Sequence, residues 1–182
     1  MIIFETRRLI VRRHTQADKD TFFSVHGSEE VMRYIRAAKT KNECDQFLLQ
    51  VIAYYEEAKL FGRWAVENKI SQEFVGGFAI IPAEGKERMQ LGYALLPEHW
   101  GKGYATELTV AGLHYVFTKT PIDTVYAFAD ESNLPSQKVL LKAGFMPDGK
   151  SEQEERQLAS FILTKSDYLR KNAIEMKKFE KT

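Results

Sequence analysis

The spacing of apolar and polar positions divides the chain into short strands and amphipathic helices. Residues 9–13 (LIVRR) have the β-branched character of a strand. Thr15 followed by Asp18 is a capping signal for a helix running to about His26, and Ser28 restarts a helix with Val31, Met32, Tyr34 and Ile35 on its apolar side. Asn42 is the expected cap of a longer helix to Lys59, with Phe47, Leu48, Val51, Ile52 and Tyr55 facing inward and Gly62 ending it. RWAVEN (63–68) and FVGGFAII (74–81) read as a hairpin, the paired glycines marking a bulge or a close approach of backbone. A third strand is expected from near Glu87 to Leu96, stopped by Pro97. Beyond it the period becomes helical from Tyr104, with Leu108, Ala111, Leu113, Tyr115 and Val116 as the apolar face. TVYAFA (124–129) returns as a strand parallel to residues 91–96 through a crossover helix. A helix over 133–142 capped by Gly144, a short strand from Phe145, a charged loop over 151–156, the strand LASFILT (158–164) and a helix from Ser166 complete the order. This is a mixed α+β architecture: a mostly antiparallel sheet, split where two parallel strands meet, flanked by helices.

The stretch 91–117, LGYALLPEHWGKGYATELTVAGLHYVF, is the centre of that arrangement. A strand, a turn carrying Gly101 and Gly103, and a helix start in succession make an anion site, because the first helical N–H groups lack internal partners and the helix dipole adds partial positive charge. The spacing fails GxxxxGK[ST], and Thr106 stands where a dinucleotide fingerprint needs its third glycine. A glycine-bearing turn without a ligand is the bland alternative.

Composition narrows the classes. The chain has 182 residues, 44% of them hydrophobic, which suits one domain over 1–182 with a full core. Its net charge of +1 gives no nucleic-acid footprint, and Arg7-Arg8 and Arg12-Arg13 are expected to point to solvent beside a strand. The single cysteine, Cys44, excludes an intrachain disulfide and reads as a packed thiol. The start is too short and charged for a signal peptide, and no apolar run reaches membrane-spanning length, so the expectation is a soluble cytoplasmic protein without a membrane partner. The four histidines lack ligand spacing, so no metal is expected, and no GxSxG elbow is present. Ile174, Met176 and Phe179 are the anchors on which the C-terminal helix could support a homodimer.

Three pieces carry a family resemblance: ETRRLIVRRHTQAD at the start, LGYALLPEHWGKGYATE in the middle, and ESNLPSQKVLLKAGF after the crossover. Together they resemble the GNAT acetyltransferase superfamily, and within it the branch of ribosomal-protein N-terminal (RimJ/RimL-like) acetyltransferases. The resemblance covers nearly the whole chain. It implies the GNAT acyl-CoA N-acyltransferase fold, acetyl-CoA as acyl donor and a primary amine as acceptor: a protein N-terminal α-amine, or a small amine such as a polyamine. A member that binds an acyl-CoA without turnover is the alternative of a different class.

By that resemblance the backbone of Gly101, Lys102, Gly103, Tyr104 and Ala105 receives the pyrophosphate, with a hydroxyl from Thr106, and Leu95 pairs with the pantetheine arm and polarises the thioester carbonyl. Trp100 occupies the place where the superfamily usually has Gln or Arg; it packs over the cofactor or lies at the rim. Asn133 bonds the pantetheine and Ser136 donates a proton to the leaving thiolate, an assignment compatible with helix capping only if another residue such as Ser132 is the cap. The attacking amine must be neutral, so a base is needed; Glu87, Glu67 and His99 are candidates, while His14 and His114 read as structural. The acceptor pocket is expected among the helices of 15–60 and the loop at 150–156.

Overall fold

The computed structural model describes residues 1–83, 88–153 and 156–179. Eight strands form one sheet: β1 Ile2–Glu5, β2 Leu9–Arg13, β3 Gly62–Asn68, β4 Phe74–Pro82, β5 Met89–Leu95, β6 Thr124–Asp130, β7 Met146–Gln153 and β8 Arg156–Thr164. They lie in the order β1-β2-β3-β4-β5-β6-β8-β7, and every pairing is antiparallel except β5 with β6. The helices are α1 Lys19–His26, α2 Glu29–Met32, α3 Lys41–Glu57, α4 Tyr104–Lys119, α5 Leu134–Ala143 and α6 Lys165–Phe179.

The main core takes in the sheet, α4 and the buried faces of α1 and α3. Trp64 and Phe78 stack with centroids 6.3 Å apart, Tyr115 of α4 meets Trp64 edge-on, and Leu108, Leu113 and Val116 are fully buried beneath the helix. Gly112 is where α4 comes nearest the sheet: an added Cβ would lie 2.3 Å from the Phe78 ring. A second cluster, Val25, Val31 and Met32, packs α1 and α2 against Ala94 and Leu96 on the opposite sheet face.

The parallel pair is short. Only Met89 with Val125 and Gln90 with Tyr126 are in register, after which β5 and β6 part. The cause lies on the other side of β5. Strand β4 carries one extra residue between the points where it pairs Val66 and Glu67, and Gly76 follows there with φ of 150°. A Cβ on Gly76 would stand 2.3 Å from the Ala94 carbonyl and 2.7 Å from the Leu95 Cα. The end of β5 therefore presses into a space that only glycine leaves, and moves away from β6.

Several expectations are corrected. The first four strand residues, β1, were not anticipated; they are held by pairing with β2. Thr40 caps α3 in place of Asn42, through reciprocal bonds with Glu43, and that helix ends before Gly62, which opens β3. The helix after Ser28 lasts one turn, and Ile35 is 44% exposed. Residues 151–153 and 156–158 form a ladder rather than a charged loop, so the strand from 146 is eight residues long. Strand β5 starts at Met89; Glu87 lies outside the described residues, as do the side chains of Ile174, Met176 and Phe179.

Two buried imidazoles tie this fold to pH. Burial lowers His14 to about 4, with Arg12 adding to the effect and Asp18 opposing it; burial lowers His26 to about 2, with Arg36, His14, Arg63 and Lys39 acting in the same direction. The unfolded residues titrate near 6.5, so unfolding takes up protons below that pH while the native state refuses them. Stability is thus complete above about 6.5 and is lost as pH falls toward 4. Urea midpoints should drop steadily over that interval; a flat midpoint would contradict the buried neutral state. Gly76→Ala should lower unfolding free energy by about 3 kcal/mol in denaturant titrations, since overpacking against backbone adds to a left-handed φ; an unchanged midpoint would deny the close approach.

Candidate active site

The gap between β5 and β6 is bounded by the strand ends, the turn before α4 and the start of α5. In an antiparallel pair, successive residues point their backbone groups to alternate sides. The Leu96 N–H donates to the Val75 carbonyl at 3.0 Å, so the N–H and C=O of Leu95 point away from β4, toward the gap. Across it, Asn133 caps α5: its Oδ1 accepts from the Ser136 N–H at 3.2 Å, with Pro135 in the first turn. The cap is Asn133 itself and not Ser132, which donates its N–H to Asp130. The side-chain amide N–H₂ of Asn133 has no hydrogen-bond partner among the described residues.

Tyr93 and Ser136 bridge the two banks. The Tyr93 hydroxyl and Ser136 Oγ lie 3.1 Å apart. Burial raises the Tyr93 phenol above its ordinary value, and the bond to Ser136 opposes that only in part. The phenol is therefore protonated at neutral pH. Tyr93 was absent from the sequence-derived candidates, although its alternation with Gly92 places it on the face shared with Leu91 and Leu95.

At the turn, Trp100 donates its indole N–H to the Leu95 carbonyl at 2.7 Å while remaining 49% exposed. Gly101 and Gly103 follow with φ of 71° and 78°, both exposed, and Gly103 caps α4 in the left-handed conformation. A Cβ on Gly101 would meet nothing within 4 Å, so the backbone there lies bare. Lys102 is exposed between them. Past Gly103 the side chains turn elsewhere, while the backbone N–H groups expected of Tyr104 and Ala105 remain at the start of α4. The Tyr104 side chain is buried, with its hydroxyl accepting from Asn68 Nδ2 at 3.1 Å. Thr106 lines an apolar groove of about 860 Å³ between β1 and α4, on the far side of the helix. Ala105 packs against the core and gives its carbonyl to the Thr109 hydroxyl.

Arg8 is the neighbour that sequence reading left in solvent. Its guanidinium stacks 4.5 Å from the Tyr104 ring centre and bonds Glu107 through Nε at 2.7 Å, while its backbone N–H reaches the same carboxylate at 2.9 Å. One terminal nitrogen lies 3.6 Å from where a Gly103 Cβ would be, beside the glycine turn. Burial alone would raise Glu107, but Thr6 and Arg8 hold it below its usual value, so the pair is ionised. No sequence signal joins residues 99 positions apart.

The base candidates fare unevenly. Glu67 is engaged by Arg12, which also grips Asp18 at 2.7 Å, away from the gap. His99 is buried in a short turn (97–99) with its ring 6.1 Å from that of Tyr104. Asp130 ends β6 at the gap; burial alone would raise it, but Ser132 and Arg156 hold it low, the latter at 2.6 Å. Among the described residues no group of three or more His, Cys, Asp or Glu could hold a metal, and no helix is long and apolar enough to cross a membrane.

Comparison with known proteins decides the family. The acetyltransferase (GNAT) domain profile matches residues 8–146, which include β2 to β6, the glycine turn and α5. The chain belongs to the GNAT acetyltransferase family. It is an acetyl-CoA-dependent N-acetyltransferase, and its mixed sheet with one parallel pair is the GNAT fold. The uncharacterized N-acetyltransferase YoaA of Bacillus subtilis is 31% identical over 150 residues, covering 81% of this chain and 84% of YoaA. RimL, a ribosomal L7/L12 alpha-N-protein acetyltransferase solved with coenzyme A, superposes with a TM-score of 0.77 at 12% identity, covering 90% of this chain and 98% of its own. Spermidine N-acetyltransferase from Vibrio cholerae, solved with coenzyme A and spermine, gives 0.75 at 19% identity, with 88% and 98% covered. Both likenesses concern the fold.

In this GNAT chain Arg8 is a cation held beside the glycine turn by its pairing with Glu107. Arg8→Ala is expected to weaken acetyl-CoA binding about tenfold by calorimetry, the loss of one charge-assisted contact. An unchanged affinity would reduce Arg8 to a brace for Glu107.

Proposed function

We propose that the enzyme carries the acetyl group of acetyl-CoA to a primary amine by direct attack within the β5–β6 gap. The observation that carries this reading is the ending of the parallel ladder after Gln90 and Tyr126, with Leu95 backbone on one bank and Ser136 on the other. The residues suit the donor. Bare glycine backbone and the first N–H groups of α4 accept a pyrophosphate, because no side chain blocks the approach and the helix end is electropositive. The opened edge of β5 offers amide partners to a peptide-like arm. Asn133 caps α5 through its Oδ1, which leaves its amide N–H₂ available as a donor.

Bond changes follow from that placement. The neutral amine attacks the thioester carbon, an oxyanion develops, and the Leu95 N–H is aimed to receive it. When the C–S bond breaks, Ser136 hands its hydroxyl proton to the departing thiolate. Tyr93, hydrogen-bonded to Ser136 Oγ and kept protonated by burial, relays to Ser136 a replacement proton from solvent, and the proton shed by the acylated nitrogen passes to solvent, so both groups end as they began. No covalent acyl-enzyme is required, and Ser136 has no histidine partner among its hydrogen bonds.

The acceptor reading is a protein N-terminal α-amine, with the reaction in the cytoplasm. The opening segment and the fold likeness to RimL support it. A polyamine acceptor is the competing reading, supported by the likeness to spermidine N-acetyltransferase.

Thiol release from acetyl-CoA with a panel of primary amines tests the transfer. Ser136→Ala should lower kcat about 10- to 100-fold, while the Kd for acetyl-CoA stays within about twofold. Equal losses in both quantities would show that Ser136 only shapes the pocket.

A further inference from the structure

Three cations converge on one aromatic ring, on the sheet face opposite α4. Arg36 and Lys39 lie in the segment between α2 and α3, and Arg63 lies on β3. Their charged heads stand 4.9, 5.6 and 5.4 Å from the centre of the Phe47 ring. His26 stands 5.3 Å from the same ring, and its Nδ1 accepts from Arg36 at 3.0 Å. This histidine is neutral, so its proton sits on Nε2, a further donor beside the three cations.

Arg63 is the informative member. It is half-buried, and it makes no hydrogen bond or ion pair through its guanidinium to any described residue. Burial and the neighbouring Arg36 both lower its pKa, and among the described residues the groups that oppose them are the phenols Tyr54 and Tyr55. Burying a guanidinium beside another cation is costly, and a face of Phe47 offsets only part of that cost. Such a site gains by receiving a negative charge.

The sheet register links this cluster to the gap. Arg63 stands opposite Ala79, and Ala79 opposite Gly92, so the three share a face. Two strand spacings separate Arg63 from Gly92, about 10 Å. The row between them is floored by small residues, and a Cβ on Gly92 would meet nothing within 4 Å. Gly92 lies two residues past the last paired position of β5, and Tyr93 turns to the other face with Ser136. Ala79 and Gly92 are only half-buried, so this face of β4 and β5 is partly open between the cation cluster and the gap, on the side away from the proposed acid.

We infer that Arg63, with Lys39 beside it, forms an acceptor subsite for a carboxylate carried on the same molecule as the amine that is acetylated. It rests on the transfer reading given above and selects within it: an acidic peptide or an ω-amino acid fits, and a polyamine is repelled.

Matched probes separate the two layers. ω-Aminooctanoate and its carboxamide differ only in the charge, and spermidine supplies the opposite sign. Binding is measured by calorimetry on protein saturated with coenzyme A, and turnover by thiol release from acetyl-CoA. The carboxylate should bind about tenfold more tightly than the carboxamide, and be acetylated with a kcat/KM higher by about the same factor, with spermidine poorer than either. In Arg63→Gln, and separately in Lys39→Gln, the carboxylate-to-carboxamide ratio should fall toward one while coenzyme A affinity is retained. Equal binding of carboxylate and carboxamide to the wild-type protein overturns the subsite, whether or not both are acetylated. Carboxylate-selective binding without acetylation of any amine retains the subsite and overturns transfer in the gap.

Discussion

The pressing of β5 into the glycine of β4 is the constraint on which the site depends. Parallel strands that keep their ladder leave no room for a ligand, since every edge group finds a partner in the neighbouring strand. Here the extra residue of β4 and the missing Cβ of Gly76 draw Ala94 and Leu95 sideways. The ladder with β6 then ends after two pairs, and the backbone groups of Leu95 face an opening. That opening would leave a carbonyl unpaired, and Trp100 fills it with an indole N–H. The same short segment then turns through Gly101 and Gly103 into α4. Strand displacement, a capped carbonyl and a helix N-terminus are thus consecutive consequences of one packing contact.

Charge is distributed differently over the two faces of that opening. On the α4 side Tyr93 pairs with Ser136, and Arg8 with Glu107. On the α1–α3 side a half-buried guanidinium and two further cations gather around Phe47, reached along a row of small residues. An amine approaching from there meets positive potential before it meets the gap, which favours acceptors that carry a compensating negative group. On the proposed reading the sheet itself separates the two halves of the reaction, with the acyl donor held from one face and the amine arriving from the other.

Much of this was legible in the chain before the structure. The FVGG pair signalled a bulge or close backbone approach, the W-G-K-G-Y run signalled a bare turn before a helix, and Asn133 and Ser136 were singled out together at the start of one helix. Each is a local signal, encoded in glycine or in spacing within one element. The misses share a different origin. Tyr93 with Ser136, and Arg8 with Glu107, are contacts across 43 and 99 positions, which no periodicity joins. The MPDGKSEQ strand has no alternation to betray it; its register with β8 makes it a strand. The one-sided capping of α3 by Thr40 over the adjacent Asn42 turned on the reciprocal bond from Glu43. The Trp100 bond to Leu95 needed the strand to part first, so it could not be foreseen from the residue type alone.

The central claim is that the parted strands seat the acyl donor with Leu95 at the thioester and Ser136 at the sulfur. Backbone and indole NMR of the uniformly labelled protein, titrated with coenzyme A, reads those positions at once. The account predicts that the amides of residues 93–95, 101–106, 133, 134 and 136 shift together with the Trp100 indole N–H, on one saturable curve. Shifts confined instead to the groove between β1 and α4, around Val110 and His114, with the Trp100 indole unmoved, would contradict it.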